Sequence, residues 1–330
     1  MKTATVVNYI PALVCAVISV ALVRGGFPVF LFLVPFGFAT YGYKPKIGWL
    51  CASAAIVINA VFLLLVSGIN NLVIIDIIYF TLMVLVFTWI VAPPFEQLGR
   101  IKLTLAYRLI AGSVLGLLIV GLIILANFES FYTFFLSQGE ALIAVYMSSL
   151  GGDVVRQYVL EEYMTPENVV NMIAYILLRG GALFSSIVIF FMGHQLSLLF
   201  ARIIRKRDIR ENAKLFYVHS KLIWVLSFSI SGVLLGRLLS ADILDITAWN
   251  IIIVCAILYL AQGVGIFHHL LERWKLSPFM RLLLSILIIV LILSPASVIL
   301  LGLLIFLGIA EHWVPFRAPK NDGPSSTPEA

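Results

Sequence analysis

Charge is what this chain has least of: Asp, Glu, Lys and Arg together make up 12% of its 330 residues, about half the share common in soluble domains. That scarcity excludes a fold solvated by water on all sides. Hydrophobic residues reach 62% and the mean hydropathy is +1.09, so the main solvent is lipid. Cysteine is rare as well. Cys15, Cys51 and Cys255 each sit inside an apolar run, with no C-x-x-C pair and no histidine at ligand spacing, which excludes a disulfide framework and a zinc site and leaves three small hydrophobes. Catalytic signatures are missing too. The chain has no G-x-x-x-x-G-K-[ST], no H-E-x-x-H and no G-x-S-x-G, so it reads as a non-enzyme without a cofactor, and energised transport needs a separate ATPase or an ion gradient. The formal charge of +6 has no soluble basic face to sit on, which sets nucleic acid aside as a partner.

Apolar runs of roughly 20 residues are what a helix needs to cross the hydrocarbon core. Ten such stretches are present, at 4–23, 27–42, 47–68, 72–93, 105–126, 169–201, 221–239, 248–268, 280–294 and 296–313. The expected fold is all-α, a polytopic transmembrane bundle of about 8 to 10 membrane segments in one domain over 1–316. Lys2 and the first run resemble a signal peptide, but no A-x-A site follows, so a retained first span is expected. The second stretch carries Pro28 and Pro35 and is expected to be kinked or re-entrant. The last two are divided only by "SPAS" and form either a tight hairpin or one broken helix.

Basic loops mark the cytoplasmic side. Alternating ten segments with both termini inside puts 18 of the 22 Lys and Arg residues there, leaving Arg24, Arg156, Arg179 and Arg237. The expected location is the bacterial cytoplasmic membrane, with the bilayer itself as first partner. The longest external stretch, 127–168, is acidic, holding Glu129, Glu140, Asp153, Glu161, Glu162 and Glu167 against Arg156. It reads as interfacial helices broken at Gly151 and Gly152, serving as a cap over the bundle or as a substrate lid. A new helix is expected at "TPEN", with Thr165 as N-cap and Pro166 in first position. The polar, proline-bearing tail 317–330 is expected to be a disordered cytoplasmic extension.

Polar residues inside the apolar runs are the candidate sites. Arg179 and His194 share one stretch, about 22 Å apart along a continuous helix. If Arg179 snorkels to the outer edge, His194 sits deep, unless one polar cavity serves both. Arg179 could instead face the interior, meeting an anionic ligand group or pairing with Asp76, Asp242 or Asp245, with Gly180 and Gly181 permitting close backbone approach. The tentative ligand-binding set is therefore Arg179, Asp76, Gln262 and His194. His268 and Glu272 stand one turn apart, as metal ligands can, but so do many interfacial pairs, and no third ligand is spaced to join them. Small-xxx-small pairs at Ala12/Ala16, Gly112/Gly116 and Gly232/Gly236 suit close helix packing or docking to another membrane protein.

"ILYLAQGVGIFHHLLERWKLSP" with "LGIAEHWVPFR", and "RGGFPVFLFLVPFGFATYGYKPKIGWL" near the start, resemble the YybS-like family of uncharacterised bacterial membrane proteins. That resemblance implies a helical plan similar to the substrate-binding components of energy-coupling-factor transporters. In those, an Ala-xxx-Ala pattern like Ala12/Ala16 docks on a membrane coupling protein. The expected role is binding or transport of a small solute. The competing role is a scaffold or assembly factor whose basic segment "RIIRKRDIRENAK" meets cytoplasmic partners or anionic headgroups.

Overall fold

The computed structural model describes residues 3–69, 71–92, 97–98, 101–102, 104–149, 165–206, 216–273, 280 and 297–317. Contacts gather into two compact units, 1–209 and 210–330, where the sequence suggests a single domain. The division falls within the basic segment.

Unit 1 contains α1 (Thr3–Arg24), α2 (Val29–Gly42), α3 (Pro45–Ser67), α4 (Asn71–Val91), α5 (Leu105–Ala126), α6 (Phe128–Ser149), α7 (Pro166–Ile176) and α8 (Ala182–Arg205). Two-residue strands β1 (Gln97–Leu98) and β2 (Ile101–Lys102) pair in the connection before α5, a minor addition to the all-α expectation. Pro45 opens α3 at its first turn, where a missing N–H costs nothing. Thr165 caps α7 as expected, its Oγ1 accepting from the Asn168 N–H at 3.2 Å with Pro166 behind it. Helices α3, α4 and α5 have 23, 21 and 22 residues, which at about 1.5 Å per residue exceeds the roughly 30 Å core.

Helix α2 is the hub. It has 14 residues, about 21 Å of helix and too little to cross by itself. Phe32 to Gly37, Ala39, Thr40 and Gly42 are all buried, because α1, α3, α4 and α8 surround it. A helix wrapped in protein can end at membrane depth without exposing its backbone to lipid. Pro35 interrupts its ladder, and two neighbouring serines donate to carbonyls beside the proline: Ser19 to Phe32 O at 2.7 Å and Ser197 to Val34 O at 3.1 Å. Gly37 lies against Ser197 and Gly193 against Leu33, so α2 and α8 run parallel at close range.

Other contacts set the remaining directions. Trp49 Nε1 donates to Ala92 O at 3.1 Å, and Arg108 Nη1 donates to Ile90 O, which brings the start of α3, the end of α4 and the start of α5 to one level. Arg205 stacks on the Tyr43 ring at that same end. Lys44, Lys46, Arg108, Arg202 and Arg205 thus collect at one end of the unit, as the alternation read from sequence requires.

Helix α8 corrects one expectation. The stretch 169–201 is not one helix. Leu177–Gly181 form a wide π-type turn in which Arg179 has ψ 35° and Gly180 has φ 101°. Only glycine enters that backbone region cheaply. Helix α6 follows α5 after Asn127 alone, whose side chain donates back to Ile123 O at 3.0 Å. Its Gly139 packs against Pro166 of α7. Gly151, Gly152, Asp153, Arg156, Glu161 and Glu162 lie outside the described residues, as do segment 280–294 except Met280, and tail residues 318–330.

Unit 2 holds α9 (Leu222–Leu238), α10 (Asp242–Arg273) and α11 (Ser297–Ala310). Gly232 against Ala248 and Gly236 against Asp245 zip α9 and α10 into an antiparallel hairpin. Leu304 meets Gly263 while Gly308 meets Tyr259, so α11 also runs antiparallel to α10. Strict alternation of ten segments makes the eighth and tenth parallel, and the structure corrects that. Among the described residues, five apolar stretches are long enough to span a membrane, at 45–67, 73–91, 105–126, 166–205 and 242–271. The protein is a helical, multi-pass membrane protein.

Candidate functional site

Three of the sequence candidates, Asp76, Arg179 and His194, belong to unit 1 and have different surroundings there, and Gln262 belongs to unit 2. Asp76 belongs to a polar knot at the end of unit 1 away from the basic cluster. Its Oδ2 accepts from Arg24 Nη1 at 2.7 Å, while Arg24 Nε and Nη2 donate to Asn59 Oδ1 at 3.0 and 2.7 Å. The partner given to Asp76 is therefore Arg24. Asn59 is completely buried. Arg24, an exception to the basic-loop pattern, is explained by the two acceptors waiting at its depth.

Arg179 sits in the wide turn ahead of α8, with its guanidinium carbon 3.6 Å above the centre of the Tyr175 ring. Because α8 proper has 24 residues, about 36 Å, it spans the core without Arg179, which heads the crossing. His194 then takes the deep position. It is wholly buried, and its Nδ1 shares a 2.9 Å hydrogen bond with the Tyr41 hydroxyl of α2. A buried imidazole whose ring nitrogen has such a partner is satisfied inside a bundle. The two residues resolve as one edge cation and one core histidine.

Gln262 lies in unit 2, where its amide is already engaged. Oε1 accepts from Val218 N–H at 2.7 Å, and Nε2 donates to Gly308 O at 3.0 Å and Glu311 Oε2 at 2.9 Å. Both N–H groups are spent. Glu311 in turn accepts from Arg317 Nε at 2.6 Å and from its Nη2, and Arg317 Nη1 donates to Phe216 O at 2.9 Å. This network ties the chain after α11 to the chain before α9, which is a structural clasp rather than a ligand contact. Asp245 lies 4.0 Å from Arg237, in the same unit.

Ala12 and Ala16 are 1% and 0% exposed. They pack inside unit 1, so the stripe that resembles a docking pattern is covered by the protein's own helices. Gly112 is likewise pressed against Ile90 and Val86. Gly116 is different.

A Cβ placed on Gly116 meets nothing within 4 Å, because this residue faces a cleft of about 210 Å³ between α4, α5 and α8. Tyr79, Met83 and Val86 form one wall, Ser113 and Val120 another, and Ser185, Ser186 and Phe190 the third. Among the described lining residues none is charged. Ser113 is completely buried, yet its Oγ has no hydrogen-bond partner. Sequence reasoning passed over this residue. Its signal, a hydroxyl between two glycines in "GSVLG", looks the same as ordinary helix packing.

Among the described residues no three His, Cys, Asp or Glu side chains converge on a metal position. No family model, no curated protein and no solved structure matches this chain.

Proposed function

We propose that this protein binds a small solute at membrane depth in the cleft between α4, α5 and α8, as a solute-binding or carrier protein of the bacterial cytoplasmic membrane. The observation that carries this reading is the cleft of about 210 Å³, whose described lining sets the hydroxyls of Ser185 and Ser186 beside the aromatic rings of Tyr79 and Phe190 and holds no charged residue. An apolar cavity of about 150 Å³ already accommodates a benzene-sized molecule. The YybS-like resemblance points the same way, through its likeness to substrate-binding components. Arg179 does not line this cleft, so this reading does not use it as a contact. With Ala12 and Ala16 buried, any coupling protein would dock on another face.

One observation favours the scaffold reading instead. The centre of unit 1 is dry, with Leu33, Phe36, Phe87 and Phe190 all at most 1% exposed. A carrier working through that axis would need converging polar groups there, and the cleft lies beside it.

The deciding experiment is a thermal-shift screen of purified protein against vitamins, nucleobases and lipids, with Gly116→Leu in parallel. A ligand that binds only the folded state raises the melting temperature. A shift present in wild type and lost in Gly116→Leu supports the cleft. No shift across the panel supports the scaffold.

A further inference from the structure

We infer that the solute of this cleft is a neutral, lipid-soluble amphiphile, held with an oxygen-bearing head on Ser185 and Ser186 and an apolar body pointing inward; the inference rests on the cleft being the solute site. The lining grades from polar to apolar along the helix axes. Ser185 and Ser186 stand about 5 and 6 Å from the first residue of α8, and Phe190 about 12 Å. Helix α4 starts at the same end of unit 1, away from the basic cluster, and there Tyr79 precedes Met83 and Val86, which lie about 6 and 11 Å further in. Side chains lean toward the start of their helix, which carries these hydroxyls further toward that end. They are also within reach: Ser185 is exposed, Ser186 half-buried and Tyr79 41% exposed. Ser113, deeper in, is completely enclosed and takes no part.

Depth and charge together select the ligand. With about 36 Å of helix across a core of roughly 30 Å, α8 sets its two serines within a few Å of the core edge. An alcohol dissolved in a bilayer already keeps its hydroxyl at that boundary and its chain inward, so it meets the cleft in the orientation the walls favour. Serine hydroxyls both donate and accept, and suit a hydroxyl or a carbonyl head alike. The described lining offers no countercharge, so an ion would shed its hydration with nothing to replace it. A volume of about 210 Å³, set against the roughly 150 Å³ that takes benzene, admits a body of roughly eight carbons.

Photolabelling of the full chain in nanodiscs tests this with two octanols, one carrying a diazirine beside the hydroxyl-bearing carbon and one carrying it beside the chain end, the marks being mapped by mass spectrometry. In wild type the first should mark Ser185, Ser186 or Tyr79, and the second Met83, Val86 or Phe190. Unlabelled octanol should compete, whereas octanesulfonate, equal in chain length but charged, should not. Ser185→Ala combined with Ser186→Ala should weaken competition by octanol about fivefold, the equivalent of one net hydrogen bond. Octane, which has no head, should compete equally against both proteins, which shows the cleft intact in the variant. Marks at the reversed ends, competition by octanesulfonate, unchanged octanol competition in the double variant, or an equal loss for octane overturns the inference while the cleft stands. Should neither probe mark a cleft residue in wild type, or should Gly116→Leu be marked as wild type is, the site itself is lost and the proposed function with it.

Discussion

At the residue scale, burial decides which polar groups matter. Arg24 satisfies a completely buried Asn59 and a half-exposed Asp76, and the two acceptors should respond differently to its loss. Arg24→Leu strands the Asn59 oxygen away from water and should cost about 1–3 kcal/mol. Asp76→Asn keeps a polar partner at a solvent-reached position and should cost less than about 1 kcal/mol. Melting curves of the two variants in one detergent measure the difference; equal losses would show that the ion pair, and not the buried amide, dominates. Arg179, His194 and Asp76 were visible in the sequence as polar letters in apolar runs. Their partners were not, because Tyr175 is one turn away while Tyr41 and Arg24 arrive from other helices.

At the element scale, glycines set how closely helices approach. A Cβ on Gly263 would stand 1.9 Å from Leu304 O, and one on Gly308 would stand 2.1 Å from Tyr259 O. Backbone oxygens cannot swing aside. Alanine at either position should therefore destabilise unit 2 by about 1–3 kcal/mol through overpacking. Gly302, on the same helix but with nothing within 4 Å, should gain about 0.5–1 kcal/mol from the same substitution through helix propensity. Thermal unfolding of the three variants checks the contrast in sign. In the turn ahead of α8, Gly180→Ala should cost about 1–2 kcal/mol, because its φ of 101° is hostile to an L side chain. If Gly180→Ala melts like wild type, the turn is not a fixed feature of the element. The break was illegible beforehand, since "LLRGG" keeps the hydropathy of a continuous helix and glycine inside apolar runs is common.

For the whole molecule, the directions of the helices in unit 1 make a topological prediction. Single cysteines at Lys44 and Arg202 should react with a membrane-impermeant maleimide from one side of a sealed vesicle, and cysteines at Gly26 and Gly68 from the other. The native thiols of Cys15, Cys51 and Cys255 are buried and keep the background low. Labelling of Lys44 and Gly68 from the same side would overturn the threading. Composition and hydropathy alone determined that the chain is a helical membrane protein, where its long apolar helices lie, and that Lys44, Lys46, Arg108, Arg202 and Arg205 share one end of unit 1, because lipid demands internally bonded helices and penalises charge. Which helices touch, that α2 is the buried hub, that Gln262 is consumed by a clasp, and that α4, α5 and α8 leave an uncharged cleft between them were decided only by the tertiary structure. Lipid makes nearly every face of an apolar helix equally comfortable, so hydropathy carries little record of which face meets protein; close packing around glycines and the pairing of buried polar groups choose among those faces, and both exist only once the helices have met.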